Sequence, residues 1–320
     1  MTKSAILFLV YNRLDTTQQV FQAIRKAKPA RLYVASDGAR ISCQDDDKKV
    51  QAVRTYIMEN IDWPCTVETL FRNENLGCKL AISSAITWFF NQESEGIILE
   101  DDCLPSPTFF QYCDELLERY RDNDKVFCVS GEGTVNSISI QSDSYWFSKY
   151  VMIWGWASWR RAWKYYKVDI HESWNANKHR GLDVLFAGSP SAKKYWGSIF
   201  TKVAAGKIDT WDYQWAYACL LYGGVACLPR INLISNLGFG VGATHTLNEE
   251  DERSKMLISD IDFPLVHPDA ISVDSKSDVI LERLVYGIES DSGLRMFTHR
   301  ILRRFKKIVL HFRFSKMLRR

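Results

Sequence analysis

The first 130 residues alternate short apolar runs with stretches of helical periodicity, and this alternation limits the possible folds more than any other feature. Ala5–Val10 is an uninterrupted apolar run, which is typical of a strand buried on both faces of a parallel sheet. Apolar residues then recur at helical spacing from Val20 to Ala27. The same alternation predicts further strands at 32–35, 66–71, 96–99 and 126–129, with helices between them. The chain is therefore predicted to be α/β, with a mostly parallel sheet flanked by helices.

Local signals predict where some helices begin. Asp15 followed by Gln18 resembles a capping box, and Ser106-Pro107 resembles an N-cap with proline at the first helical position. Beyond residue 140 the pattern is less regular, although 211–221 is predicted to be a helix and 225–228 a strand. Residues 247–295 are polar and predict no regular element.

Polar side chains follow three of the predicted strands directly. Asn12 and Arg13 come after the first strand, Asp37 after the second, and the triplet Glu100–Asp102 after the fourth. Ligands of parallel α/β sheets bind at the carboxyl ends of the strands. We therefore expect these three groups to meet at one edge of the sheet and to form a ligand site there.

The acidic triplet Glu100–Asp102 predicts a cation. Adjacent carboxylates disfavour one another's ionisation, and burial adds to that cost, so a divalent cation would relieve both. Carboxylate oxygens suit Mg²⁺ or Mn²⁺, which commonly lie between one or two carboxylates and substrate phosphates. The alternative is an acidic group that interacts favourably with the N-terminus of the helix after Ser106-Pro107.

A wider pattern surrounds the triplet and resembles a known family. Its residues are Ile97–Asp102, Pro107, Phe109, Phe110, Tyr112, Val126–Ser130, Tyr11–Arg13, Ser36–Gly38, Asn75–Gly77, Gly155–Trp159 and Thr210–Asp212. With this pattern the chain resembles nucleotide-sugar-dependent glycosyltransferases of the GT-A (Rossmann-like) fold. It is most similar to the N-acetylglucosaminyltransferase I type and to bacterial transferases of surface-polysaccharide synthesis. The resemblance covers residues 4–245.

The resemblance implies a role for each residue at the strand ends. Asp102 would bind Mn²⁺ or Mg²⁺, which bridges the diphosphate of a nucleotide-sugar donor. A UDP-sugar is the first candidate for this donor. Glu100 and Asp101 would contact ribose or sugar hydroxyls of the donor. Asp37 would hydrogen-bond the nucleotide base, with Asn12 and Arg13 beside the same nucleotide. The metal would stabilise the negative charge that develops on the leaving nucleoside diphosphate.

An inverting transferase also needs a base that deprotonates the acceptor hydroxyl. Asp212 is the first candidate, since Trp211, Tyr213 and Trp215 around it would exclude part of the water. The alternative is that Asp212 only caps the helix that follows. Asp209 is the second candidate, because the family pattern has two adjacent acids where this chain has Asp212 followed by Tyr213.

Two further features are candidates for the donor and acceptor sites. His245 ends the glycine-rich stretch 238–245 and would contact the diphosphate or the metal, unless it is an ordinary surface histidine. Trp154 and Trp156 flank Gly155 and are expected to line the acceptor site, where sugar rings pack on aromatic faces. The alternative for an aromatic-rich stretch is the hydrophobic core.

The basic tail 299–320 carries nine Lys and Arg and no Asp or Glu, so the total of +3 leaves residues 1–298 with a net charge of −6. Apolar residues at helical spacing between the basic ones predict an amphipathic helix on an anionic membrane, where a lipid-linked acceptor would lie. The alternatives are a solvated helix or one packed on a partner subunit. The acidic body argues against a nucleic acid partner.

The predicted organisation is a GT-A catalytic domain at 1–262, an extension at 263–298 and the basic tail. Within the domain, 1–130 would bind the nucleotide sugar and 131–262 the acceptor, a glycan or a lipid-linked sugar. No export signal or apolar run of roughly 20 residues is apparent. We therefore expect a cytoplasmic protein that is peripheral on the inner face of the membrane, with its eight cysteines reduced.

Two other functions compete with sugar transfer. A sugar-phosphate nucleotidyltransferase would favour a glycine-rich loop after the first strand to hold a triphosphate, but Tyr11–Asp15 contains no glycine. A non-catalytic membrane-associated scaffold of the same fold would bind no nucleotide.

Overall fold

The computed structural model describes residues 1–133, 143–177, 181–186, 189–238 and 256–289. The strands are β1 (Ala5–Val10), β2 (Arg31–Ser36), β3 (Thr66–Phe71), β4 (Glu95–Glu100), β5 (Cys103–Pro105), β6 (Val126–Ser130), β7 (Tyr145–Ser148), β8 (Trp156–Trp159), β9 (Val225–Pro229) and β10 (Ile234–Asn236). The helices are α1 (Leu14–Ala27), α2 (Asp46–Glu59), α3 (Gly77–Gln92), α4 (Phe109–Arg119), α5 (Arg160–Trp163), α6 (His171–Asn177), α7 (Gly181–Leu185), α8 (Pro190–Ala204), α9 (Asp212–Tyr222) and α10 (Ser275–Tyr286).

Eight strands form one central sheet in the order β3-β2-β1-β4-β8-β6-β9-β7, with helices packed against it. Strands β3, β2, β1 and β4 are parallel, and β6 pairs in parallel with β9. Strands β8 and β7 run the other way, and β5 and β10 form a small separate sheet. The α/β prediction is confirmed, and the architecture is Rossmann-like.

Strand β1 lies in the middle of the parallel half, and every residue in it is buried. Leu7 and Leu9 contribute to the core on one face of the sheet, whereas Ile6, Phe8 and Val10 contribute to the core on the other. This division explains why the run is continuously apolar, because both faces of a parallel sheet are covered by helices.

Both predicted helix starts are wrong. Helix α1 begins at Leu14 with Arg13 as its N-cap residue, and no side chain caps it. Helix α4 begins at Phe109, because the chain first forms β5 and Ser106 donates its backbone N–H to the carbonyl of Leu233. At α4, the pairing of β5 with β10 and the contact with Leu233 therefore outweigh the local capping signal.

Helix α10 arises in the stretch where the sequence predicts no element. Its N-cap is Asp274, which accepts hydrogen bonds from the backbone N–H groups of Lys276 and Ser277. The helix packs against the end of β7, where Ser148 donates a hydrogen bond of 2.5 Å to the buried Asp278.

The predicted boundary at 262/263 stays a prediction. Within the described residues, no helix combines the length and apolarity needed to cross a bilayer.

Candidate active site

The sheet order brings the three polar strand ends together. Strands β2 and β4 lie on either side of β1, with Val10 opposite Ser36 and Leu9 opposite Glu100. Because all three strands are parallel, the residues that follow them emerge at the same edge. The predicted meeting of Asn12 and Arg13 with Asp37 and with the acidic triplet therefore follows from the register.

Arg13 joins the loop after β1 to the acidic triplet. Its Nη2 donates to Asp101 Oδ1 at 2.5 Å and to Asp102 Oδ2 at 2.9 Å, so one nitrogen bridges two carboxylates. The backbone N–H of Tyr11 donates to the other oxygen of Asp101 at 3.2 Å. Asp101 is buried, whereas the Asp102 side chain keeps 16% of its surface exposed. Asp102 is thus the more accessible carboxylate.

Arg13 offsets only part of the cost of ionising the buried carboxyl groups of the triplet. Burial raises the pKa of Asp101 to about 6, although the Arg13 guanidinium opposes this shift. Burial also raises the pKa of Glu100 well above its usual range, and the charges of Asp102, Asp101 and Asp212 add to the increase. An additional cation at this edge would favour the ionised forms.

Asp46 fixes the loop after β1 from the opposite side. This buried carboxylate accepts hydrogen bonds from the Tyr11 hydroxyl at 2.6 Å, from Asn12 Nδ2 at 2.5 Å and from the backbone and side chain of Arg40. These donors hold the pKa of Asp46 well below its usual range, the Arg40 side chain having the largest effect. Tyr11–Arg13 is therefore held between Asp46 and the acidic triplet.

Sequence reasoning missed Asp46. It stands at the start of α2 between Asp45 and Asp47, so it resembles an ordinary acidic first turn. Its partners Tyr11 and Asn12 precede it by 35 and 34 residues, and no local spacing reports such a contact.

Asp37 lies at the N-terminus of α3. Both of its carboxylate oxygens are 3.0 Å from the backbone nitrogen of Leu76, and Oδ2 also accepts from the N–H of Gly77 at 3.0 Å. These bonds satisfy donors that an α-helix leaves free at its start. Asp37 thus positions α3 against the strand ends, and its contact with a nucleotide base stays a prediction.

Asp212 and Asp209 lie at the same edge. Asp212 is the first residue of α9, and its Oδ1 accepts hydrogen bonds from Thr210 Oγ1 and, at 2.9 Å, from the backbone N–H of Tyr213. Burial raises the pKa of Cys78 to about 12, and the charges of Glu100, Asp212, Asp209 and Asp37 contribute in that order. The start of α3 therefore lies within electrostatic reach of all four carboxylates.

The two candidate aromatic residues have different surroundings. Trp156 is completely buried and stacks on Trp211 at 5.8 Å between ring centroids. This corrects the expectation that Trp156 lines the acceptor site, because a ring with no exposed surface belongs to the core. Trp154 is half-buried against the core, and its acceptor role stays a prediction.

A divalent cation of the Mg²⁺ or Mn²⁺ type at these carboxylates stays a prediction, and most of its ligands would come from outside the protein. In the described ranges, no three acidic, histidine or cysteine side chains form a group able to hold a metal ion. Asp102 is instead an accessible hard oxygen donor, and such ions are commonly bound by one or two carboxylates together with phosphates and water. Asp102 would hold the ion, and Glu100 stands two residues before it in the chain.

The glycine-rich stretch begins directly against this carboxylate. The backbone N–H of Leu237 donates to the carbonyl of Asp102 at 2.7 Å, and a Cβ at Gly238 would overlap Asp102 Oδ2. Gly238 is the last described residue of the stretch, and His245 lies outside the described residues. The predicted diphosphate or metal contact of His245 stays a prediction.

No family model and no curated protein matches this sequence. Among solved structures, the chain is similar to HddC from Yersinia pseudotuberculosis at 12% identity and a TM-score of 0.31, over 49% of this chain and 77% of that chain. HddC complexed with GMP-PN gives the same values. A UDP-glucose pyrophosphorylase complexed with UDP-glucose is similar at 10% identity and a TM-score of 0.27, over 48% of this chain and 64% of that chain. Likeness this distant carries no argument about activity.

Proposed function

We propose that the chain is a metal-dependent glycosyltransferase that moves a sugar from a nucleotide-diphosphate sugar to a glycan or lipid-linked acceptor. The supporting observation is the gathering of acidic residues from β4, α9 and the loop after β2 at one edge of the sheet, with Arg13 bridging Asp101 and Asp102. Such an edge suits a cation that in turn holds a diphosphate. The sequence resemblance supports the same reaction.

Each residue at the edge has a proposed task. Asp102 holds Mn²⁺ or Mg²⁺, which when bound offsets the charge that develops on the departing diphosphate. Asn12 and Arg13 bind the nucleotide part of the donor, for which UDP is the first candidate, and Glu100 and Asp101 orient the sugar or ribose through its hydroxyls. Asp37 keeps the start of α3 in place.

Asp212 is the proposed base for a reaction that inverts the anomeric centre. It is half-buried, and its charge reaches Glu100. The acceptor oxygen attacks the anomeric carbon as Asp212 takes its proton, and the bond to the diphosphate breaks. Asp212 Oδ1 already accepts two hydrogen bonds, which leaves Oδ2 for the acceptor hydroxyl.

The first test is a thermal-shift screen of nucleotide sugars with and without Mn²⁺. A donor that binds the native state raises the unfolding temperature by mass action, and the shift should depend on the metal. The selected donor is then incubated with candidate acceptors, and the released product is identified. Release of a nucleoside diphosphate supports sugar transfer, whereas pyrophosphate formed from a nucleoside triphosphate and a sugar phosphate would establish a nucleotidyltransferase instead.

A substitution pair makes this test specific. Asp102→Asn should lower metal-dependent turnover by about 100-fold or more while the protein remains folded. Asp62→Asn is the matched control, since Asp62 pairs with Arg25 on the exposed surface. Full activity of Asp102→Asn, or the absence of any nucleotide-sugar shift, contradicts the proposed function. Placement of the enzyme at an anionic membrane and in surface-polysaccharide synthesis is part of the same proposal.

A further inference from the structure

Arg13 occupies the place between the two carboxylates where a cation would bind. Its Nη2 lies 2.5 Å from Asp101 Oδ1 and 2.9 Å from Asp102 Oδ2. One positively charged nitrogen therefore does what a bridging metal ion does, since it neutralises one oxygen of each carboxylate. Close hydrogen bonds of this kind between a guanidinium and carboxylates are among the strong ones in proteins.

The two carboxylates depend on Arg13 to different degrees. Asp101 is buried and has a second donor in the N–H of Tyr11, so its position is held from two sides. Asp102 accepts a hydrogen bond from Arg13 at Oδ2. Its Oδ1 lies 3.4 Å from the thiol of Cys103, which is a weak donor. The Arg13 bond is thus the easier one to replace at Asp102.

Arg13 is partly exposed to solvent and is enclosed on one side by the chain. Its side chain keeps 32% of its surface exposed, and it projects from the residue before the first turn of α1. On the other side, Gly238 packs over Asp102 and Arg13, with Nη1 of Arg13 3.1 Å from the position that a Cβ would take. The guanidinium is therefore held between the acidic triplet and the start of the glycine-rich stretch.

We propose that Arg13 is an internal placeholder for the divalent cation, which must displace it from Asp102. A guanidinium and a divalent cation repel each other, so the two compete for Asp102 Oδ2. Once displaced, the guanidinium would be available to a diphosphate, whose oxygens match its planar fork. Free metal then binds weakly, and metal and nucleoside diphosphate bind cooperatively. This inference rests on the proposed function for the identity of the diphosphate.

The proposal makes opposite predictions for the two ligands of one variant. Arg13→Gln removes the competing charge, so calorimetry with MnCl₂ alone should show Mn²⁺ affinity at least about tenfold higher than in the wild type. The same variant lacks the fork, so UDP at saturating Mn²⁺ should bind at least about tenfold more weakly. A structural role of Arg13 alone would weaken both ligands together.

Two further variants complete the experiment. Arg25→Gln is the control. Arg25 lies in α1, the helix that Arg13 precedes, and its substitution removes only an exposed ion pair with Asp62, so the affinities for Mn²⁺ and UDP should not change. Arg13→Lys has a shorter side chain and one ammonium group, so both affinities should move in the same directions by a smaller factor. This variant also decides the matter should Arg13→Gln fail to fold.

Unchanged or weaker Mn²⁺ binding in the folded Arg13 variants overturns the proposal, and so does unchanged UDP affinity. The outcome is separable from that of the proposed function, because the Mn²⁺ titration contains no sugar donor. If Arg13→Gln binds Mn²⁺ more tightly but the wild type transfers no sugar, the placeholder role of Arg13 is supported and the transferase proposal is refuted. If the wild type transfers sugar but Arg13→Gln binds Mn²⁺ with unchanged affinity, the transferase proposal is supported and the placeholder role is refuted.

Discussion

Gly238 lies so close to Asp102 that any side chain at position 238 would overlap the carboxylate. A Cβ there would meet Asp102 Oδ2, and it would come within 3.1 Å of Arg13 Nη1. The preceding residue, Leu237, also donates its backbone N–H to the carbonyl of Asp102. The glycine-rich stretch and the acidic triplet therefore form one continuous surface at the candidate active site.

Gly238→Ala should consequently impair the site. The methyl group forces Asp102 or the backbone of residue 238 to shift, and we expect metal-dependent turnover to fall about tenfold or more, because small displacements of catalytic groups have large effects. Steady-state kinetics over a range of Mn²⁺ concentrations measure the effect. Gly197→Ala is the control, since its Cβ would meet Leu182 at 3.3 Å, away from the acidic triplet. Equal turnover in both variants would contradict the importance of this contact.

Asp46→Asn should weaken the binding of the donor. The variant keeps the size of the side chain but removes the charge that holds Tyr11, Asn12 and Arg40. Loss of hydrogen bonds to a buried charged group costs about 1.5–3 kcal/mol. We expect a lower unfolding temperature and a higher KM for the donor, measured by thermal melts and kinetics. A variant that loses stability without any change in KM would show that Asp46 supports the fold alone.

The sequence predicts the sheet and the position of the site better than the internal arrangement of the site. The continuous apolar run of β1 and the acids after β4 report burial and strand ends, which are local properties. The bridge from Arg13 to Asp101 and Asp102 and the hydrogen bonds to Asp46 join residues that are distant in the chain. Such pairings depend on strand order and helix placement, which no local pattern contains.

Trp156 shows the same limit for aromatic residues. Its flanking glycine and the tryptophans nearby in the sequence fit a sugar platform as well as a core. The structure decides for the core because β8 lies between β4 and β6, and Trp156 packs on Trp163, Trp211 and Trp215. Trp156 is buried because β8 is inserted antiparallel between β4 and β6, and the spacing of apolar residues in the sequence does not predict this insertion.

Asp278 should make the stability of the fold depend on pH. Burial raises its pKa to about 7, against the opposing effects of Ser148 and Lys149, with Glu282 adding to the increase. The native state therefore keeps a proton that the unfolded chain releases at about pH 4, so its stabilisation is full below that pH and is lost as the pH rises to about 7.

Asp278→Asn removes this titration. The unfolding temperature of the variant should fall less than that of the wild type between pH 5 and pH 8, which thermal melts across this range measure. The control is Asp15→Asn on the exposed surface of α1, which should keep the wild-type slope. Identical slopes for Asp278→Asn and the wild type would show that Asp278 is ionised throughout.

The basic tail 299–320 lies outside the described residues, and its membrane role stays a prediction from the sequence. Removing it should reduce binding to anionic vesicles at low salt, because nine basic residues are lost and the remaining chain has a net charge of −6. Co-sedimentation of the full chain and of residues 1–298 measures the difference, with neutral vesicles as the control. Equal binding of both proteins would exclude the tail as the anchor.

Asp212 and Asp209 make different predictions as bases. Asp212 is half-buried and fixed by Thr210 and by the first turn of α9, whereas Asp209 is exposed. Asp212→Asn should therefore lower kcat by about 100-fold or more, which is typical of a lost general base, and leave the KM for the donor nearly unchanged. Asp209→Asn is the matched variant and should retain most of its activity. If Asp209→Asn has the large effect instead, the base is Asp209. If both variants stay active, no general base acts from this segment, and the proposed role of Asp212 is wrong.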